Sequence, residues 1–100
     1  MDDILYLISE EPKTQDENGV WSSQEVKTMV YCRKRDITRA EFYGAGRNGL
    51  NPSLMFYVFN GDYHGERICE FQGNRYHIYR TYTGTDDYTE LYAERTAGAN

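Results

Sequence analysis

Apolar and polar positions alternate with period two along most of this chain, in short runs rich in Tyr, Val, Ile, Thr and Phe that Gly, Asn and Asp clusters separate. Such alternation sends successive side chains to opposite faces of an extended backbone, so it predicts strands. The first run is Ile4-Leu5-Tyr6-Leu7-Ile8. Glu10-Glu11-Pro12 and the turn-rich Asp16-Glu17-Asn18-Gly19 follow, and the Asn-Gly pair suits a turn needing positive φ. Val20-Trp21 then opens a longer run reaching about Arg35. Within it Val26, Thr28, Val30 and Cys32 share one face, expected in the core, while Lys27, Met29, Tyr31 and Arg33 share the other. Both faces carry apolar area, which points to a partner on the outer one.

The alternation breaks at Thr38. Thr38-Arg39-Ala40-Glu41 has the spacing of a capping box, in which hydroxyl and carboxylate satisfy each other's backbone N–H groups, and it predicts a helix start. Gly44, Gly46 and Gly49, each costing about 0.8–1 kcal/mol relative to Ala inside a helix, restrict it to two or three turns. Asn51-Pro52 stops it. The stretch of about residues 36–52 therefore reads as an inserted excursion between two strands, of a length that is commonly functional.

Beyond it come a strand from Leu54 to Phe59, the turn Asn60-Gly61-Asp62, and a hairpin of Arg67–Phe71 with Arg75–Tyr82 across Gln72-Gly73-Asn74. A loop Thr83–Asp87 leads to a last strand near Tyr88–Arg95. The expected fold is mainly β, a small β-barrel or curled antiparallel sheet of five to six strands with a short helix in a long inserted loop. Closure would remove the edges that such a sheet otherwise exposes. Residues 1–95 are expected to form a single domain, and residues 96–100, small and polar, a flexible tail.

Composition narrows this picture. Of 100 residues 39% are hydrophobic, but ten of those are Tyr, so the apolar core is lean and suits one small domain. No apolar run approaches the roughly 18 residues of a membrane span. Met1-Asp2-Asp3 is acidic where a secretory signal is basic, so the chain is expected in the cytoplasm. There Cys32 and Cys69, which share no metal-binding spacing, are expected as small buried apolar side chains and not as a disulfide. The net charge of −5 is uneven. Asp2, Asp3, Glu10, Glu11, Asp16 and Glu17 face only Lys13 in the first twenty residues, and the stretch from Asp86 to Arg95 is also acidic, whereas the middle is basic.

Candidate chemistry is sparse. Gly44-Ala45-Gly46-Arg47-Asn48-Gly49 fits G-x-G-x-x-G, but it trails a helix start where a dinucleotide site needs a preceding strand. Asp62, His64 and Glu66 alternate and could offer metal ligands from a continuous strand, yet Gly61 and Gly65 flank them and favour a turn. His77 lies alternate to Tyr76 and Ile78, as a surface or interface imidazole. No serine sits in a nucleophile elbow and neither cysteine sits beside a histidine. No catalytic residue, metal or cofactor is expected, and the chain reads as a non-enzyme. The basic group Arg33, Lys34, Arg35, Arg39 and Arg47 stands out, because Tyr31, Phe42 and Tyr43 interleave it. Such a mixture could stack bases and neutralise phosphates as a small nucleic-acid-binding barrel, or pair with acidic groups of another protein. The overall acidity favours the protein partner.

The order of several features resembles the head-tail adaptor or head-closure (stopper, head-tail joining) family of long-tailed phages. These are Asp16-Glu17-Asn18-Gly19-Val20-Trp21 leading to Tyr31-Cys32-Arg33, the insertion with Glu41-Phe42-Tyr43, Phe56-Tyr57-Val58, and Tyr63-His64-Gly65-Glu66-Arg67-Ile68. The hairpin Phe71-Gln72-Gly73-Asn74-Arg75-Tyr76-His77-Ile78 and the closing Glu90-Leu91-Tyr92-Ala93-Glu94 complete the series. The resemblance implies a structural virion protein at the head–tail junction, present in the host cytoplasm before assembly. It implies a homo-oligomeric ring below the portal and adaptor proteins that closes the DNA channel and docks tail proteins, with DNA passing through the channel without specific binding and no membrane involved. Carried onto this chain, Arg33, Arg35, Arg39, Phe42, Tyr43, Arg47, Asp62 and Tyr63 would form the partner or ring interface. Thr38, Glu41, Gly44, Gly46, Asn48 and Gly49 would face the channel or a neighbouring subunit.

Overall fold

The computed structural model describes residues 3–12, 17, 19 and 23–96. Six strands form where the alternation places them: β1 (Asp3–Pro12), β2 (Ser23–Asp36), β3 (Pro52–Phe59), β4 (Ile68–Phe71), β5 (Asn74–Thr83) and β6 (Tyr88–Arg95). They close into a barrel in the order β1-β2-β3-β6-β5-β4, with β4 returning to β1 and every pairing antiparallel. The hairpin of β4 and β5 turns through Gln72 and Gly73, both at positive φ (51° and 80°), the backbone of a two-residue primed turn. Helix α1 (Arg39–Gly46) occupies the excursion between β2 and β3, and a single 3₁₀ turn (Asn60–Asp62) follows β3.

Inward positions of all six strands fill the barrel: Leu5 and Leu7, Val30 and Cys32, Phe56 and Val58, Cys69 and Phe71, Tyr76 and Ile78, Leu91 and Ala93. Phe56 sits at the centre, its ring 5.1 Å from Phe71 and 6.2 Å from Tyr76. Each such large apolar side chain contributes about 1.5–3 kcal/mol on burial. Both cysteines are buried free thiols, as expected, and burial pushes each up to about 12.

The core face of β2 is shorter than its alternation predicts. Val30 and Cys32 are buried, but Val26 is half-buried and Thr28 exposed. The cause is topological. β4 pairs with β1 only at Tyr6–Ile8, and β3 pairs with β2 only from Cys32 to Asp36, so the far halves of β1 and β2 continue as a two-stranded arm. Val20-Trp21 and the tail residues 97–100 lie outside the described residues. Thr96, expected in the tail, is tied to the barrel by its N–H and hydroxyl, both donating to the Arg75 carbonyl at 3.4 and 3.1 Å.

The helix begins as its sequence predicts, the Thr38 hydroxyl accepting from the Glu41 N–H at 3.2 Å. The other half of the capping box is not made by Glu41, whose carboxylate turns to β5. At the far end Gly49 takes a φ of 78° and the Leu50 N–H donates to the Ala45 carbonyl at 3.2 Å, the Schellman arrangement that terminates a helix. The glycines of the G-x-G-x-x-G string thus run through and end a helix, and the helix, not a strand, leads directly into them.

Candidate interaction face

The outward side chains of β2, β3 and β6 build a continuous face at one side of the barrel. Arg33 lies directly across the ladder from Tyr57, and the Arg35 guanidinium stands 5.5 Å from the centre of the Tyr57 ring. With Asp86 and Tyr88 these residues line a groove of about 380 Å³. A second concavity of about 380 Å³ adjoins it through the shared Tyr88 and is lined by Tyr31, Phe59 and Asp62. Phe59 and Tyr88 are ladder partners whose rings meet edge-on at 6.1 Å. Tyr31 and Phe59 nevertheless keep 56% and 49% of their surface exposed, an apolar area that the chain itself does not cover.

Loop hydrogen bonds hold the rim in place. The Asn60 N–H donates to the Asp87 carbonyl at 2.8 Å, the Tyr88 N–H to Asp86 Oδ1 at 3.3 Å, and the buried Thr89 hydroxyl to Asn60 Oδ1 at 2.7 Å.

Charge sorts the basic residues into two groups. Lys27, Arg75 and Arg80 each have a carboxylate partner, on Glu70, Glu25 and Glu41 respectively. Among the described residues, Arg33, Lys34, Arg35, Arg39, Arg47, Arg67 and Arg95 form no ion pair. The first five are the basic group that the sequence singles out, and all seven are exposed.

The structure divides the expected interface residues between two places. Arg33, Arg35 and Asp62 line the face just described. Arg39, Phe42, Tyr43 and Arg47 stand exposed on α1 and the turn after it, the rings of Phe42 and Tyr43 edge-on at 5.8 Å. Thr38, Gly44, Gly46, Asn48 and Gly49 are likewise exposed around that helix. Tyr63 has a different place: it is half-buried against the core, and its hydroxyl donates to the Glu66 carbonyl at 2.7 Å.

Glu41 also has a structural place, because it holds the helix to the barrel. β5 carries a bulge at Tyr79, so that Ile78 pairs with Ala93 and Arg80 with Tyr92, and Tyr79 is the extra residue. The Tyr79 hydroxyl donates to Glu41 Oε2 at 2.7 Å, and the Arg80 guanidinium pairs with Glu41 Oε1. Arg80 also lies 3.9 Å from the centre of the Tyr92 ring. Partial burial works against the Glu41 charge, but the hydrogen bonds from Arg80 and Tyr79 outweigh it and hold the carboxyl below its usual value. Burial and the adjoining Glu41 carboxylate push the Tyr79 hydroxyl well up.

Elsewhere the groups with chemical potential serve the fold. Glu66 Oε1 accepts from the His64 N–H at 2.7 Å, closing the turn, and His77 Nδ1 lies 3.2 Å from Glu94 Oε2. Among the described residues no three His, Cys, Asp or Glu side chains come together as a metal site would need. Tyr57, Phe59, Tyr88 and Asp86 were not singled out from the sequence. Their signal was present in Tyr57 and Phe59, which are aromatic at alternate, outward positions of their strand where a monomeric sheet favours polar residues.

The fold and this face define a class, a closed antiparallel barrel with an outward cluster of unpaired arginines and exposed aromatic rings. Compared with known proteins, the chain matches no protein-family model and no curated protein.

Proposed function

We propose that this chain is a structural subunit of a phage head–tail connector, which assembles into a ring below the portal and its adaptor, closes the DNA channel and docks the tail. The observation that carries the reading is the face around Arg33 and Arg35, where cations without a carboxylate partner adjoin exposed Tyr31, Phe59 and Tyr88. Arg and aromatic residues with that exposure are typical anchors of protein interfaces. A closed barrel with a short helix in a long excursion also agrees with what the resemblance implies. In a chain of net charge −5, such a basic patch complements the acidic surface of a neighbouring copy. The subunit would occupy the virion's head–tail junction.

The test replaces Arg33, Arg35 and Arg39 together by Glu. All three are exposed, so the isolated variant keeps its fold and its melting transition, while ring or connector assembly is lost. Normal assembly of the variant would overturn the reading, as would imaging that finds the labelled chain away from the junction. A second reading, a nucleic-acid-binding barrel, draws on the Arg35–Tyr57 contact, which offers a cation and a stacking ring together. Asp86 and Asp62 on the same rim repel phosphates and favour the protein partner. DNA affinity measured against salt separates the two, since phosphate binding weakens steeply as salt rises.

A further inference from the structure

The arm leaves one long strand edge open. Among the described residues, β1 is the only ladder neighbour of β2 from Ser23 to Tyr31, because the ladder to β3 begins at Cys32. Along these positions the side of β2 away from β1 has no backbone partner among the described residues. Every second residue there turns its N–H and C=O to solvent, a template for another strand. The usual protections are missing. Gln24–Tyr31 contains no proline, glycine or bulge, and Lys27, the residue type that most often blunts an edge, is turned to Glu70 at 3.2 Å. Half-buried Val26 and exposed Thr28 meanwhile continue the core pattern beyond the barrel, in a concavity shared with Ser9 and the turn His64-Gly65-Glu66.

We propose that this edge pairs antiparallel with the same edge of a second copy, giving an isologous dimer with one four-stranded sheet across the two arms. The charges along the edge favour one register, in which Glu25 and Lys27, paired with Arg75 and Glu70 within the free chain, also meet across the dyad. Centred on Val26, the pairing sets Glu25 opposite Lys27 of the partner subunit, twice by symmetry, with Val26 on Val26, Gln24 on Thr28 and Ser23 on Met29. A pairing centred on Glu25 or on Lys27 would instead set like charges directly opposite, which destabilises a ladder. The favoured register ends at Met29, short of Cys32 where the ladder to β3 begins. The dimer is a property of the free chain and stands apart from the connector role.

Sedimentation and light scattering of the full chain over a concentration series test it, with a reversible monomer–dimer equilibrium expected. Val26→Lys faces two lysines across the dyad and weakens association at least about tenfold. Glu25→Lys weakens it as well. Glu25→Lys combined with Lys27→Glu restores wild-type association, because the intermolecular pairs re-form with signs exchanged even though the internal pairs with Arg75 and Glu70 are broken. If Val26→Lys does not fold, the charge exchange decides. A wild-type chain that stays monomeric up to about 1 mM overturns the proposal. So does a dimer indifferent to Val26→Lys, or a double exchange that fails to restore association.

Discussion

Glu41 joins helix and barrel through one carboxylate, which takes a hydrogen bond from the Tyr79 hydroxyl and an ion pair from Arg80. Its side chain is only 14% exposed, so these bonds lose little to solvent. Hydrogen bonds to a charged group contribute roughly 1.5–3 kcal/mol, and Glu41→Gln is expected to lower stability by about that much; Tyr79→Phe costs about 1 kcal/mol. The pH dependence has a fixed sign. The folded carboxyl titrates below its ordinary 4.5, so the stabilisation is complete above about that pH and fades as pH falls through the lowered value. Urea titrations of wild type and Glu41→Gln should therefore differ most at neutral pH and converge in acid. A gap that stays constant with pH would show that the glutamate acts by packing and not by charge. The residue-scale signal at Thr38 was legible, because a cap depends on neighbours three positions apart. The destination of Glu41 was not, since its partners lie 38 and 39 residues away and face it only because β5 bulges at Tyr79.

At the scale of elements, glycines in one short segment act in opposite senses. Gly44 lies inside α1 with nothing within 4 Å of where a Cβ would stand, so Gly44→Ala removes unfolded-state freedom at no steric cost and should stabilise by about 0.5–1 kcal/mol. Gly49 is equally open but sits at φ 78°, and Gly49→Ala should destabilise by about 1 kcal/mol or more, because the left-handed backbone that ends the helix resists a Cβ. Thermal melts of the two variants should move in opposite directions. Movement in the same direction would contradict the helix terminus at Gly49. Strands were more legible than the helix: β6 was read as Tyr88–Arg95 and that is its span. Period two survives in them because each has one face on the core. Where only one neighbour strand exists, as for Val26 and Thr28, the same pattern overstates burial, since alternation gives the face of a side chain but not how far the barrel extends beneath it.

At the scale of the molecule, the barrel closes around twelve inward side chains among the described residues, and none of them comes from the excursion between β2 and β3. Ala45 is the excursion's buried apolar residue, and it lies outside that core. Closure itself was anticipated from the need to hide edges, and the basic group from its clustering. The groove was not, because it joins β2, β3, β6 and the Asp86 loop, which only the strand order β2-β3-β6 makes neighbours. If the excursion serves assembly and not folding, the two roles are separable. Asp36 and Leu54 are ladder partners, so a two-residue Asn-Gly turn can replace residues 37–53 and leave the β2–β3 pairing in register. The shortened chain loses the Glu41 contacts, the bond from the Asn51 N–H to Glu94 Oε1 and the bond from the Arg95 N–H to the Ser53 hydroxyl. Its thermal midpoint should fall by about 10 °C, with the β signature and a cooperative transition retained. Loss of assembly in a chain that still melts cooperatively would assign the excursion to the ring. Loss of cooperative folding would make it part of the barrel's own stability, and assembly undiminished without it would leave the arginine-lined face as the seat of the interaction.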